Sequence, residues 1–320
     1  MKTKFLFAWT LITGLLAATA AEPKKILVVS VTTGFRHSSI GIAEKTIARL
    51  GEESGAFTVV DYARQPGIKV SQKPNPPQKL KDDASEAEKE KHEAAQKKYE
   101  SDLAAFDAEK AKREQGDFDA AVKHSLEKLS PANLKNYDGV IFANTTGDLP
   151  LPDRLGFLDW VKAGHAFVAM HSGSDTFHGF KPYIEMLGGE FQTHGAQASV
   201  DAINRDKNHP ATKHLGDTFK VFDEIYIIKS YDPAKVHELL VLDKHPNTKE
   251  AGHYAVSWCK EFGQGKIFYT SLGHREDVWD PEDKNRKSNP REVAEAYDKH
   301  ILGGIKWALG LEKGDATPGN

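Results

Sequence analysis

Four short stretches of this chain place histidine, arginine, asparagine or aspartate directly after an apolar run and beside a glycine. They are Thr32-Thr33-Gly34-Phe35-Arg36-His37, Asn144-Thr145-Thr146-Gly147-Asp148, His171-Ser172-Gly173-Ser174-Asp175 and Ser271-Leu272-Gly273-His274-Arg275-Glu276. Imidazole changes charge near neutral pH, so His37, His171 and His274 suit general acid, general base or metal-ligand duty. Arg36 offers a planar fork of donors to an anionic or hydroxyl-rich ligand. Asn144 suits a hydroxyl, and either Asn144 or Arg36 suits developing oxyanion charge. Asp148 and Ser172 are further polar candidates for substrate contact. One such loop is weak evidence; four at equivalent positions point to one constructed pocket.

The third stretch says most. A buried run, Ala166–Met170, enters a turn of small residues and then a helical pattern, which is the shape of a nucleophile elbow. In the class I glutamine amidotransferase-like fold a G-x-C-x-G turn puts cysteine at this point. Here Ala169-Met170-His171-Ser172-Gly173 puts histidine there, which excludes thiol chemistry. A serine hydrolase is disfavoured as well, since the leading glycine of G-x-S-x-G is missing. Asp175, four residues after His171, either orients that imidazole or caps the following helix. Glu224, in Asp223-Glu224-Ile225-Tyr226, is either a carboxylate facing the pocket or a charge guarding a sheet edge. His194 is a fourth candidate imidazole. His209-Pro210 reads as a turn, while His92 and His245 read as exposed. Several imidazoles with Asp175 and Glu224 also suit a divalent metal. No H-x-H or H-x-x-x-H pair fixes ligand geometry locally, so a metal requires long-range convergence.

The elements that must position these residues follow from the apolar pattern. Ile26–Val31, Phe57–Tyr62, Val140–Ala143 and Ala166–Met170 are continuous or β-branched runs, as expected of strands covered on both faces. Helical patterns at Ile40–Leu50 and Asp153–Lys162 alternate with them. The expectation is an α/β fold, a mostly parallel sheet with helices on both faces, whose ligands bind at the carboxyl ends of the strands. Further strand-like runs lie at Phe219–Lys229, Glu238–Leu242, Tyr254–Trp258 and Lys266–Thr270. Pro290–Leu309 reads as a closing helix and 312–320 as a flexible tail. One stretch breaks the rhythm: residues 79–114 hold 9 Lys/Arg and 11 Asp/Glu. It reads as a long charged helix or helical hairpin, an insertion over 74–116 with a narrow stripe of Tyr99, Leu103 and Phe106. Such a segment is a solvated projection or an arm through which the chain docks a partner or a second copy of itself.

At the N-terminus, Lys2 and Lys4, the apolar run Phe5–Ala17 and Ala18-Thr19-Ala20 have the form of a signal peptide over residues 1–20. A periplasmic or secreted protein is expected, with no membrane association after cleavage. The single cysteine, Cys259, allows no intramolecular disulfide and reads as a small buried apolar residue. A net charge of −3 gives no electrostatic reason to expect nucleic acid or an anionic membrane as partner.

This set of residues resembles the ThuA-like (trehalose utilisation) family. The resemblance rests on Gly34-Phe35-Arg36-His37-Ser38, Asn144–Asp148, Val168–Asp175, His194, Asn208-His209-Pro210, Asp223–Tyr226 and Gly263–His274, spread over residues 21–311 outside the insertion. Ala169 stands where the family usually has glycine, a departure that leaves the turn intact. The resemblance implies the amidotransferase-like α/β sheet and a role in catabolism of disaccharides, including their 3-keto derivatives. The expected activity is a lyase, isomerase or hydrolase acting on an oxidised sugar by acid–base chemistry at His171, His37 and His274, with Asp175 and Glu224. A glycoside hydrolase using the Asp175/Glu224 pair and a non-catalytic sugar-binding protein are the alternatives. Trp279, next to the site loops, is the tryptophan placed to stack a sugar.

Overall fold

A computed structural model of the chain describes residues 22–319, so the expected signal peptide lies outside the described residues. The first half runs β1 (Lys24–Val29), α1 (Ile40–Ser54), β2 (Phe57–Ala63), α2 (Glu86–Ala105), α3 (Ala108–Leu126), α4 (Pro131–Leu134), β3 (Gly139–Ala143), α5 (Arg154–Lys162) and β4 (Ala166–Met170). The second half runs α6 (Lys181–Leu187), β5 (Glu190–His194), β6 (Ala198–Asn204), β7 (Thr218–Asp223), β8 (Tyr226–Lys229), β9 (His237–Lys244), β10 (Ala251–Phe262), β11 (Gly265–Thr270), α7 (Glu276–Trp279) and α8 (Arg291–Ala308). Nine strands form one sheet in the order β2-β1-β3-β4-β11-β10-β9-β6-β7, and β5 pairs with β8 in a small second sheet. From β2 to β11 every pairing is parallel. An antiparallel wing, β10-β9-β6-β7, extends it. The α/β architecture expected from the sequence is therefore present.

Alternation along the strands explains the two helix layers. Successive side chains of a strand point to opposite faces, so Ile26, Val28, Ile141, Val168 and Met170 pack with Ile47 and Leu50 of α1 and Ile301 and Ile305 of α8. Leu27, Val29, Val140, Phe142 and Phe167 pack on the other face. Their partners are Val122 and Leu126 of α3, Phe157 and Val161 of α5, and Tyr183 and Leu187 of α6. Both faces are apolar because both are covered. That is why these strands carry no polar alternation.

The charged insertion is two helices, not one. Ser85 and Glu88 form a capping box at the start of α2, and the chain turns extended at Phe106 before Asp107 caps α3 by accepting the Lys110 N–H at 2.8 Å. No residue of α2 is buried, and Leu103 remains 36% exposed, so the Tyr99/Leu103/Phe106 stripe covers no core. Only the far end of α3, through Val122 and Leu126, reaches the sheet. No helix among the described residues is long and apolar enough to cross a membrane.

Two expectations need correcting. The run Phe219–Lys229 is not one strand: it breaks at Glu224-Ile225, with β7 in the large sheet and β8 in the small one. Residues 312–319, expected as a flexible tail, are hydrogen-bonded back to the fold. Trp307 donates to the Gly314 carbonyl at 3.2 Å, the Gly319 N–H donates to Val236 at 3.0 Å, and His237 Nδ1 meets the Thr317 carbonyl at 2.8 Å. A polar segment is fixed here because its backbone groups, with Ala316 against the core, complete the edge of the fold.

Candidate active site

Parallel pairing in near register sets the carboxyl ends of β1, β3, β4 and β11 side by side. Met170 lies opposite both Ala143 and Thr270, and Val29 opposite Phe142. The four polar loops therefore emerge in a row. Bridges between Thr32 and Thr146, and between Gly147 and Thr176, tie the first three together. At the end of β4, His171 has a left-handed backbone, φ 45°, and Asn144, directly after the neighbouring β3, has φ 54°. Non-glycine residues avoid this region, and such strain concentrates at functional sites. The elbow seen in the sequence is thus a real, strained turn.

His37, His171, Glu224 and His274 each offer one ligand atom, and these atoms lie within 4.8 Å of one another. His171 Nε2 is 3.3 Å from His37 Nε2 and 3.7 Å from Glu224 Oε2, while His274 Nδ1 is 3.2 Å from the same carboxylate oxygen. The imidazoles are oriented from behind. His171 Nδ1 lies 2.8 Å from the Ser271 carbonyl, which only accepts, so the proton sits on Nδ1 and Nε2 presents a lone pair to the cluster. His37 Nδ1 is held by Ser172 Oγ at 3.2 Å, which turns its Nε2 inward. His274 Nδ1 is buried with no aligned hydrogen bond, despite its closeness to Glu224.

The break between β7 and β8 delivers Glu224, and the small sheet delivers a fourth imidazole. His194 ends β5 opposite Tyr226 of β8, which brings His194 Nδ1 to 3.0 Å from Glu224 Oε1. His194 is also the more open group, with 43% of its side chain exposed against 23% for His274 and none for His171. Asp223 fixes the His274 loop from below, accepting backbone N–H groups of Gly273 at 2.7 Å, Glu224 at 2.9 Å and Arg275 at 3.2 Å. Gly273 has φ 119°, and a Cβ there would lie 2.8 Å from both Trp279 and Tyr297, so only glycine fits.

Burial dominates the electrostatics. It pushes His37 down to about 4, with the neighbouring His274 adding to the effect, and holds His171 well below the usual imidazole value. Both rings are neutral at pH 7, with lone pairs available. Burial alone would lower His274 and raise Glu224, but their mutual contact reverses both: His274 is raised and Glu224 lowered. The cluster is a buried carboxylate facing the neutral lone pairs of His37 and His171, an arrangement that favours a cation at its centre. Metal bonds of about 2.0–2.1 Å place tetrahedral ligand atoms about 3.4 Å apart; three of the separations here are 3.2–3.7 Å, and all lie within 4.8 Å. Carbonyl and hydroxyl partners on the remote imidazole nitrogens are the usual support of metal-binding histidines.

Other nominated residues lie elsewhere or do something else. Asp175 does not orient His171. It pairs with His178, whose other nitrogen meets Glu190 at 3.2 Å, because the turn after His171 is a 3-10 helix that sets Asp175 beside His178. Asp148 pairs with Arg154 at 2.8 Å. Trp279 is fully buried and donates to the Gly273 carbonyl at 2.9 Å, so it presents no face to a ligand. Asn144 spends its amide group on Ser39 and on the Gly273 carbonyl, both at 2.9 Å, latching three strand ends together; its buried carbonyl oxygen has no partner. Arg36 is anchored to the Ser30 carbonyl at 2.9 Å. Ser172 acts on His37 rather than facing outward. Sequence reasoning missed Asp223 as a clamp and Phe35 as the exposed aromatic beside the cluster, although an aromatic inside a polar glycine-bearing loop was a visible signal. A cavity of about 570 Å³ lies at Lys181, Glu190, Ser230 and Lys260 and includes none of the four cluster residues; chemistry, not volume, marks the site.

A family model described as ThuA, trehalose utilisation, matches residues 84–308. Solved structures similar to this chain include a ThuA-like protein from Parabacteroides merdae, 16% identical with a TM-score of 0.56, the match covering 90% of each chain. Another, from Bacteroides uniformis, is 14% identical with a TM-score of 0.56, and the match covers 92% of this chain and 95% of that one. At such identities the likeness concerns the fold. No curated protein matches the chain.

Proposed function

Because this chain belongs to the ThuA, trehalose utilisation, family, whose description points to carbohydrate metabolism, we propose that it is an exported enzyme acting on a disaccharide or glycoside oxidised at C3, by proton transfer assisted by a divalent cation. The observation carrying this reading is the convergence of His37, His171, His274 and Glu224 within 4.8 Å. Three imidazole nitrogens and one carboxylate oxygen suit a first-row divalent ion of the zinc type. A cation there supplies Lewis acidity toward a ketone oxygen. A C3 ketone makes the hydrogen on C2 acidic, and removing it leaves an enolate whose collapse can expel the C1 substituent.

His194 is the group suited to take that proton. Its Nδ1 faces the Glu224 carboxylate at 3.0 Å and the Gly195 carbonyl at 2.9 Å, both acceptors. The proton therefore sits on Nδ1, and Nε2 keeps a lone pair with no protein partner among the described residues. The carboxylate-pair hydrolase draws no support from this geometry, since Asp175 is committed to His178. A purely binding role leaves the strained His171 backbone unexplained. The export component rests on the Lys2–Ala20 pattern.

The test is turnover of glycosides and their 3-keto forms by the purified protein, with and without chelator. The expected result is turnover of a 3-keto form, lost on chelation and restored by a divalent ion. Chelator-insensitive turnover would remove the cation from the account. No turnover of any glycoside, oxidised or not, would overturn the enzyme reading.

A further inference from the structure

Phe35 is 68% exposed, far more than a large apolar side chain needs to be in a protein of this size. Isolated exposed hydrophobics are common, so exposure alone decides nothing. Its setting does. The loop around it is fastened on each side: Thr146 Oγ donates to the Phe35 carbonyl at 2.7 Å, the Thr33 N–H donates to Thr146 at 3.0 Å, and Arg36 and His37 are held by Ser30 and Ser172. The ring meets His37 edge to face, centroids 4.8 Å apart, and His37 in turn lies 4.7 Å from His171 and 5.2 Å from His274. One aromatic ring on a fastened backbone therefore stands open to solvent a single imidazole away from the cluster, next in sequence to Arg36. Trp279, the aromatic that the sequence suggested for this task, is in the core.

We infer that Phe35 is the platform on which the sugar ring stacks through one apolar face. This rests on the reading of the cluster as a sugar site. A pyranose with all its hydroxyls equatorial points its C–H bonds axially, so each face of the ring is apolar, and such a face packs on an aromatic ring while the polar edge stays free for donors such as Arg36. An axial hydroxyl puts a polar group into one face, which leaves only the opposite face to stack without burying an unpaired hydroxyl. A trigonal carbon at C3 adds no axial hydroxyl and leaves the face intact.

The test uses the full chain and methyl β-glucopyranoside, with sorbitol as a control that has no ring face, followed by saturation-transfer NMR. The glucoside should bind with uneven transfer, concentrated either on H3 and H5 or on H2 and H4, the hydrogens that share one face. Phe35→Ala should weaken glucoside binding about tenfold and level the transfer pattern, Phe35→Tyr should keep both within about twofold, and Phe35→Leu should behave like Phe35→Ala. Divalent-ion binding, unchanged in all three variants, shows that the cluster is intact. Glucoside binding equal in the parent and Phe35→Ala overturns the platform while leaving the sugar site standing. Failure of the parent to bind the glucoside, or binding of sorbitol equal to it, overturns the sugar reading, and the platform with it.

Discussion

Replacing His171 by asparagine is expected to abolish turnover while leaving the fold in place. The imidazole is fully buried, its Nε2 lies 3.3 Å from His37 Nε2, and it sits on a backbone of φ 45°. Asparagine tolerates the left-handed region better than other non-glycine residues, whereas alanine would meet about 1–2 kcal/mol of strain there. His171→Asn therefore removes the ligand nitrogen with little backbone penalty. Losing an acid–base group lowers rates on the order of 10²–10⁴. Losing a direct ligand should weaken metal binding beyond the roughly 10–100-fold that a supporting partner costs. Steady-state kinetics and thermal unfolding check both halves. Cys259→Ser is the control: Cys259 is buried at 3.6 Å from His209 and contacts none of the cluster, so turnover should be nearly unchanged. A wild-type rate for His171→Asn would end the account.

The chain should also lose stability steeply as pH falls from 7 to about 4, measured in the presence of chelator so that no bound ion contributes. Two histidines outside the cluster drive this. Burial holds His209 down to about 4 and His300 down to about 3. His209 packs 5.3 Å from Trp307, and His300 on α8 is fully buried. Their folded values lie below the unfolded value near 6.5, so the unfolded chain takes up protons first. The stability they lend is complete above pH 6.5 and is lost as pH falls toward the folded values. At about 1.4 kcal/mol per unit, His209 alone gives up about 3 kcal/mol by pH 4, and His37 and His171 act in the same direction. Asp223 and Asp298, pushed by burial up to about 6, work the opposite way below pH 6. His274, raised by its contact with Glu224, works the same way as these carboxyls, and the four lowered imidazoles leave a net loss of stability as pH falls. Denaturant titrations at pH 7, 5.5 and 4.5 decide the matter; equal midpoints would contradict it.

Local pattern made much of this molecule legible. Strands covered on both faces advertise themselves as apolar runs, so β1, β3 and β4 were readable together with the loops after them. The His171 elbow was visible as a strand running into small residues. What stayed hidden depends on pairings distant in sequence. Nothing in Phe219–Lys229 marks the break at Glu224, because only the pairing of β8 with β5 makes that break worthwhile. Asp175 looked like a partner for His171 under ordinary helical spacing, but the 3-10 turn gave it to His178 instead. Trp279 lies next to a site loop in sequence, yet α7 carries it beneath Gly273 into the core. The polar tail looked free because its partners, Val236 and His237, lie some 80 residues upstream.

The central claim is that His37, His171, His274 and Glu224 form one cation site, and metal analysis of the purified chain tests it most directly. Protein isolated without chelators, or stripped and titrated with Zn²⁺ or Co²⁺, should hold about one equivalent of divalent ion. The Co²⁺ form should show the visible absorption of a low-coordinate site. Glu224→Gln and His171→Asn should each lose that absorption while unfolding cooperatively. A parent chain that carries no metal as isolated, and shows no saturable binding of either ion at neutral pH, would contradict the account, leaving the cluster as a hydrogen-bonded group of imidazoles around a buried carboxylate.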